Sequence, residues 1–243
     1  MVVKRVIFLL LINSAALSFA QDGRSLVGTE ENLRNISRSA SFVMTTNMDA
    51  LYEGIKGTPY LFNEWKQGNI YLNDNTYING VNIKYNIYTD DVLYLHSKSG
   101  DSLIIDRSLI NSFEISDDNS NNLVLFEEIS LRPNKNDKST FVKVIYDDKT
   151  KFIIKYTKTF IKADYKGAYS AGRKYDEYID DYQYYIIKNS DNPVKIKLNK
   201  KSVVKALSDK ENKIKSYLNE HSLNLNNEDD IAELLQYYDS IND

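Results

Sequence analysis

The chain of 243 residues contains no cysteine, and only three prolines, nine glycines and two histidines. Each scarcity excludes a chemistry. Without thiols there is no cysteine nucleophile, no thiolate zinc site, no iron–sulfur cluster and no disulfide. A zinc site needs three or four convergent ligands, and two scattered histidines do not supply them. His96 reads as the end of a strand beside a turn, and His221 continues the apolar stripe of a helix, so both are expected in structural or solvated roles. Gly167 and Gly172 are too few and wrongly spaced for a phosphate-cradling loop. No Gly-x-Ser-x-Gly elbow is present for a serine triad. The sequence therefore predicts no cofactor, no metal and no catalytic residue. A strong charge bias is also missing. The 31 basic and 34 acidic residues are fairly evenly mixed, with a net charge of −3, so no nucleic-acid partner is expected.

Long apolar runs are confined to the beginning. Lys4 and Arg5 precede an apolar stretch from Val6 to Ile12, continued through Ala15, Ala16 and Leu17, and Ser18-Phe19-Ala20 ends it with small residues. This is the pattern of a secretory signal peptide over residues 1–20, cleaved after Ala20. The run is too short to span a bilayer, which takes about 20 residues, and no later segment approaches that length. With no cysteine at the cleavage point, lipoprotein anchoring is excluded. The expectation is export through the inner membrane, to a periplasmic, cell-surface or extracellular site. An exported chain without disulfides must be held by its hydrophobic core.

What is present is asparagine, lysine, isoleucine and tyrosine. AT-rich coding DNA produces that set, so 19 tyrosines are not by themselves a binding surface. Residues 21–57 are weakly patterned and read as a loosely structured N-terminal arm. Residues 58–198 read as an antiparallel β domain. "GNIYLNDNTYI" gives strand, turn and strand, and Asn79-Gly80 suits a bulge or tight turn. In "VNIKYNIYTDDVLYL" (81–95), Val81, Ile83, Tyr85 and Ile87 alternate with Asn82, Lys84, Asn86 and Tyr88. The first set is assigned to the core. The second is assigned to a wet face, the default for an antiparallel sheet. "TFVKVIYDDKTKFIIKYTKTF" is the clearest hairpin, turning at Asp147-Asp148-Lys149-Thr150. Residues 199–243 change to helical period. Ser208 and Glu211 fit a capping box, and Asn227 before Glu228, Asp229 and Asp230 is a helix start. The fold class expected is α+β, a twisted antiparallel sheet or open barrel followed by two or three short docking helices.

Acidic pairs recur at Asp90-Asp91, Asp117-Asp118, Asp147-Asp148, Asp180-Asp181 and Asp229-Asp230. Neighbours on a strand point to opposite faces, and most of these pairs sit at turns, where Asp bonds local backbone. "DDNSNN" (117–122) offers oxygens to calcium but lacks the glycine and distal glutamate of an EF-hand loop. The segment "ADYKGAYSAGRKYDEYIDDYQYY" (163–185) crowds tyrosines around Gly167 and Gly172. Its functional reading is a glycan- or peptide-binding loop with Tyr169 as a platform and Arg173 as a donor. Its structural reading, a strand-crossing loop whose tyrosines cover a sheet edge, is the favoured one. Tyr88, an aromatic on the polar side beside a turn, completes the candidate ligand-binding set.

Two blocks carry a resemblance. "GTPYLFNEWKQGNIYLNDNTYINGVNIKYNIYTDDVLYL" (57–95) resembles the opening of a group of secreted Bacteroidota proteins with no assigned activity. "LNKKSVVKALSDKENKIKSYLNEHSLNLNNEDDIAELLQYYDSI" (198–241) resembles their ending of helix, polar loop and helix. The resemblance implies an exported β-rich protein with a short C-terminal helical segment, and no reaction. The function expected is a non-catalytic binding or structural module of the envelope, whose partner is an unidentified envelope protein or glycan. The alternative is a hydrolase acting on envelope polysaccharide or peptide with carboxylates that only the fold assembles. A lesser alternative is an outer-membrane barrel, whose strands run to about ten residues with an apolar outer face. Many strands here are shorter and charged, and the chain ends in a charged helix.

Overall fold

A computed structural model describes residues 42–45, 52, 54–97, 99–117, 122–132, 138–164, 174–189 and 191–242. The signal-peptide expectation at 1–20 and the calcium-like segment at 118–121 lie outside them. The architecture is the expected α+β one, an antiparallel sheet followed by three helices. The strands are β1 (Phe42–Thr45), β2 (Lys66–Leu72), β3 (Tyr77–Asn86), β4 (Asp91–Leu95), β5 (Ser102–Ile105), β6 (Ile110–Ser116), β7 (Leu123–Ile129), β8 (Thr140–Asp147), β9 (Thr150–Ile161), β10 (Glu177–Lys188) and β11 (Val194–Ile196). Their order is β1-β5-β4-β3-β2-β6-β7-β8-β9-β10-β11. Two meanders, β2 to β5 and β6 to β11, join where β2 pairs with β6. Among the described residues the sheet has two ends, β1 and β11, so it is not closed as a membrane barrel is. Inside the segment read as a loose arm, β1 pairs with β5.

Asn79-Gly80 is a bulge within β3. Val81 pairs with Gly68 and Ile78 with Ile70, and Gly80 takes φ +64°, a conformation that glycine adopts without penalty. The bulge keeps Ile78 and Val81 on the same face.

That face curls onto itself. Tyr85 on β3 lies 5.2 Å from Phe113 on β6 and 6.2 Å from Phe141 on β8, measured between ring centroids. Strands β3 and β8 are four positions apart in the sheet, about 19 Å if it were flat. Only strong coiling brings the rings together. Phe113 and Phe126 stack at 4.9 Å, and Ile70, Ile78, Ile83, Tyr94, Ile105 and Ile110 fill the rest of this core.

Beyond β8 the same face is covered by helices α1 (Lys200–Ala206), α2 (Glu211–His221) and α3 (Glu228–Ser240). Val203, Leu207, Ile214, Leu218, Ile231, Leu234 and Leu235 pack on Phe152, Ile154, Tyr184, Ile186 and Ile196. Asn227 caps α3 as expected, accepting from Asp229 N and Asp230 N. The capping box at Ser208 is not formed. Ser208–Lys210 is a 3-10 turn one residue after α1, and Lys210, which precedes α2, makes no side-chain cap bond. Glu211 instead pairs with Lys215 one turn on. None of the described helices is long and apolar enough to cross a membrane.

Candidate functional site

The candidate site forms where two strands far apart in the sheet, β3 and β10, are tied together. Residues 54–61 form a strap. Lys56 N donates to Asp176 O at 2.9 Å, and Tyr178 N donates to Lys56 O at 2.9 Å, which fixes the strap to β10. Leu61 N donates to Tyr85 O and Ile87 N to Pro59 O, each at 2.9 Å, which fixes it to β3. Gly57 sits at φ +78°, and a Cβ there would lie 2.9 Å from Tyr178 O. Both the conformation and the close approach require glycine.

Tyr88 lies just past β3, against this strap. Asn86 Oδ1 accepts from Tyr88 N at 3.0 Å and Thr89 N at 3.1 Å, so the turn is held by its own side chain. The Tyr88 ring is 49 % exposed. It stands 5.4 Å from Tyr178 and 6.4 Å from Phe160. Those two are cross-strand partners on β10 and β9, 5.0 Å apart. Tyr52 closes the group at 6.0 Å from Tyr178 and 5.8 Å from buried Tyr60. Most of these pairs meet edge to face or tilted, the favoured aromatic geometry. Beside them Lys56 Nζ bonds Glu177 at 2.7 Å and lies 5.4 Å from the centroid of the exposed Tyr175 ring. The Glu177 bond holds the Lys56 ammonium above its usual pKa of 10.5. Burial raises the Tyr178 phenol above 10.0, so it stays a neutral donor.

The site therefore offers ring faces in fixed orientation, one ammonium and one carboxylate. Tyr88 and Tyr175 are its exposed rings, and rigid aromatics present contact area at low entropic cost. Of the sequence-predicted residues, Tyr88 is at its centre. Tyr169 and Arg173 lie outside the described residues, but the strands that lead to and from them carry Phe160 and Tyr178, both in contact with Tyr88. Sequence reading missed Tyr52 and Phe160. The β9–β10 register, which places Phe160 opposite Tyr178, is the signal that connects them.

The polar side of β3 departs from expectation. Lys84 and Asn86 are buried, not solvated. The chain before β2 covers them. Lys84 Nζ lies 4.5 Å from the Tyr60 ring centroid and 5.4 Å from that of Trp65, and cation–π attraction offsets part of its desolvation.

A second polar constellation sits at the mouth of the curled half. Arg107 donates to Asp90 through Nη1, to Glu128 through Nε and to the Ser139 carbonyl through Nη2, and its guanidinium lies 5.0 Å from the Phe141 ring centroid. Tyr85 Oη donates to Asp90 at 2.6 Å, and Ser139 Oγ donates to Glu128 at 2.6 Å. Burial, then the Asp90 carboxylate, pushes the Tyr85 phenol well above 10.0. Among the described residues Arg107 draws Asp90 and Glu128 together, and Lys151 draws Glu127 and Asp147 together. The arginine between Asp90 and Glu128 donates to both and ties the start of β4 to the end of β7. His96 accepts from Ser99 N at 3.2 Å, and His221 stacks on Tyr217 at 4.0 Å. Among the described residues no group of three or more His, Asp or Glu is placed to hold a metal ion.

No protein-family model, curated protein or solved structure matches the chain.

Proposed function

We propose that this is an exported, non-catalytic binding module of the cell envelope, with the aromatic patch around Tyr88 as its recognition surface for a glycan or peptide. The observation that carries the reading is Tyr88 itself. It is half exposed, yet Asn86 Oδ1 and Pro59 O accept from its backbone N–H at 3.0 and 3.4 Å, and its ring rests on Tyr178 and Phe160. Tyr88 and the exposed Tyr175 flank the Lys56–Glu177 pair, and rings beside a charge pair suit a glycan or peptide. The signal-peptide pattern over residues 1–20 supports the compartment.

The test is capture of envelope glycans and peptides by the immobilised exported protein, wild type against Tyr88→Ala and Tyr169→Ala. Loss of a central aromatic contact costs about 1–2 kcal/mol, or roughly tenfold in affinity. Retention by wild type that falls tenfold in Tyr88→Ala supports the reading. No retention by wild type, or equal retention by all three proteins, overturns it. Turnover of a retained polysaccharide would move the protein to the hydrolase class.

A further inference from the structure

The helical cap carries a concentration of charge that the whole-chain balance conceals. Residues 195–215 hold eight lysines against two acids, a local net charge of +6 in a chain whose total is −3. Both acids are engaged. Glu211 pairs with Lys215, and Asp209 accepts from Lys188 Nζ at 2.8 Å and from Tyr238 Oη at 2.7 Å. Lys195, Lys197, Lys200, Lys201, Lys205, Lys213 and Lys215 are exposed. Among the described residues no carboxylate pairs with Lys200, Lys201 or Lys205.

Helices α1 and α2 arrange these lysines around a shallow cleft of about 310 Å³. Lys200, Lys201, Lys205 and Lys215 line it with Val204, Ser208 and Glu211. Its size matches the low end of small-ligand sites. The lysines span a strand, two helices and their connection, so their field covers a broad face and not a point. Such clusters draw negatively charged bilayers, and their long stems lie over apolar surface while the ammonium groups reach outward. None of the lining residues is aromatic, so the cleft lacks the stacking platform that single-stranded nucleic acid uses.

We infer that this lysine face docks the protein on a bilayer of anionic phospholipids, with a phosphate headgroup seated in the α1–α2 cleft. The inference does not depend on the Tyr88 patch, which is built on other strands.

Flotation of the exported protein, recovered without its apolar leader, with vesicles of equal parts phosphatidylglycerol and phosphatidylcholine tests it. The wild type should bind these vesicles, ignore pure phosphatidylcholine, and release as salt rises. Lys201→Gln/Lys205→Gln should bind roughly 25-fold more weakly. The control Lys138→Gln/Lys162→Gln, which removes the same charge elsewhere, should stay within about twofold of wild type. Unchanged unfolding midpoints show that both variants are folded, as expected for exposed positions. Equal binding to both vesicle types overturns the inference, as does equal weakening by the two variant pairs. Displacement by millimolar inorganic phosphate would assign a free-phosphate site, and tighter binding to RNA or polyglutamate would assign a soluble polyanion; either overturns the bilayer assignment.

Discussion

One face of one sheet excludes water in two different ways. Between β2 and β8 it curls until rings from distant strands meet, and Arg107 closes the mouth between Asp90 and Glu128. Between β8 and β11 three helices do the covering, and tyrosine–carboxylate bonds pin them. Tyr146 Oη donates to Asp239 at 3.0 Å, Tyr184 Oη to Glu228 at 2.8 Å and Tyr238 Oη to Asp209 at 2.7 Å. The difference shows how a chain without disulfides obtains two cores from a single sheet. Self-coiling relies on large rings. Helix docking relies on aliphatic stripes with polar pins at their ends.

The largest expected effects separate the two cores. Phe113→Ala removes a ring that is 0 % exposed and touches three others. It should cost about 4 kcal/mol, against about 3 kcal/mol for Leu234→Ala under the helices. Urea unfolding measures both. If the two cores are one cooperative unit, each variant unfolds in a single transition; two resolved transitions would mean that they are independent.

The polar closures come next. The Asp239 carboxylate is buried and accepts from Thr150 N at 3.0 Å, Thr150 Oγ1 at 2.6 Å and Tyr146. Asp239→Ala strands three donors and should cost about 3 kcal/mol. Arg107→Ala leaves two carboxylates without their shared cation, but water can reach them, so about 2 kcal/mol is expected. If Arg107→Ala proves the more damaging, the arginine and not the rings closes the curled half. Asn227→Ala, at the cap of α3, should lower the unfolding free energy by about 1 kcal/mol.

The smallest effect is one of pH. Burial acts to raise the Asp209 carboxyl, but the bonds from Lys188 and Tyr238 outweigh it and hold the group below 3.8. A carboxyl depressed in the native state stabilises above its ordinary value and loses that contribution as the pH falls through its native one. Asp209→Asn lacks the contribution at every pH. The gap between its thermal midpoint and that of wild type should therefore be present at neutral pH and shrink below about pH 4. A gap that widens in acid would contradict this sign.

Most of the strands, the β8–β9 hairpin, the Asn79-Gly80 bulge and the cap at Asn227 are local features, and alternation, turn chemistry and capping made them legible. What escaped was set by distance along the chain. Lys84 and Asn86 follow the alternation of wet residues, yet residues 58–65 lie over them and bury them. Arg107 has no sequence signature, because its carboxylates are 17 and 21 positions away. At Ser208 the local pattern was right and its context wrong: α1 runs through Leu207 into a 3-10 turn, and no extended residue remains to cap α2. In the site, Tyr88 was legible as an aromatic out of phase, whereas Phe160 and Tyr52 became its neighbours only through sheet register and the strap. The lysines of 195–215 were visible one by one, but their density disappears in a nearly balanced total.

The most direct test of the account is the affinity of wild type and Tyr88→Ala for the envelope ligand that the wild type retains, with thermal midpoints measured alongside. The account predicts about tenfold weaker binding with a midpoint lowered by only a few degrees, because the half-exposed ring gives up its contacts with Tyr178 and Phe160 and no buried core. Equal affinity in the two proteins would contradict it.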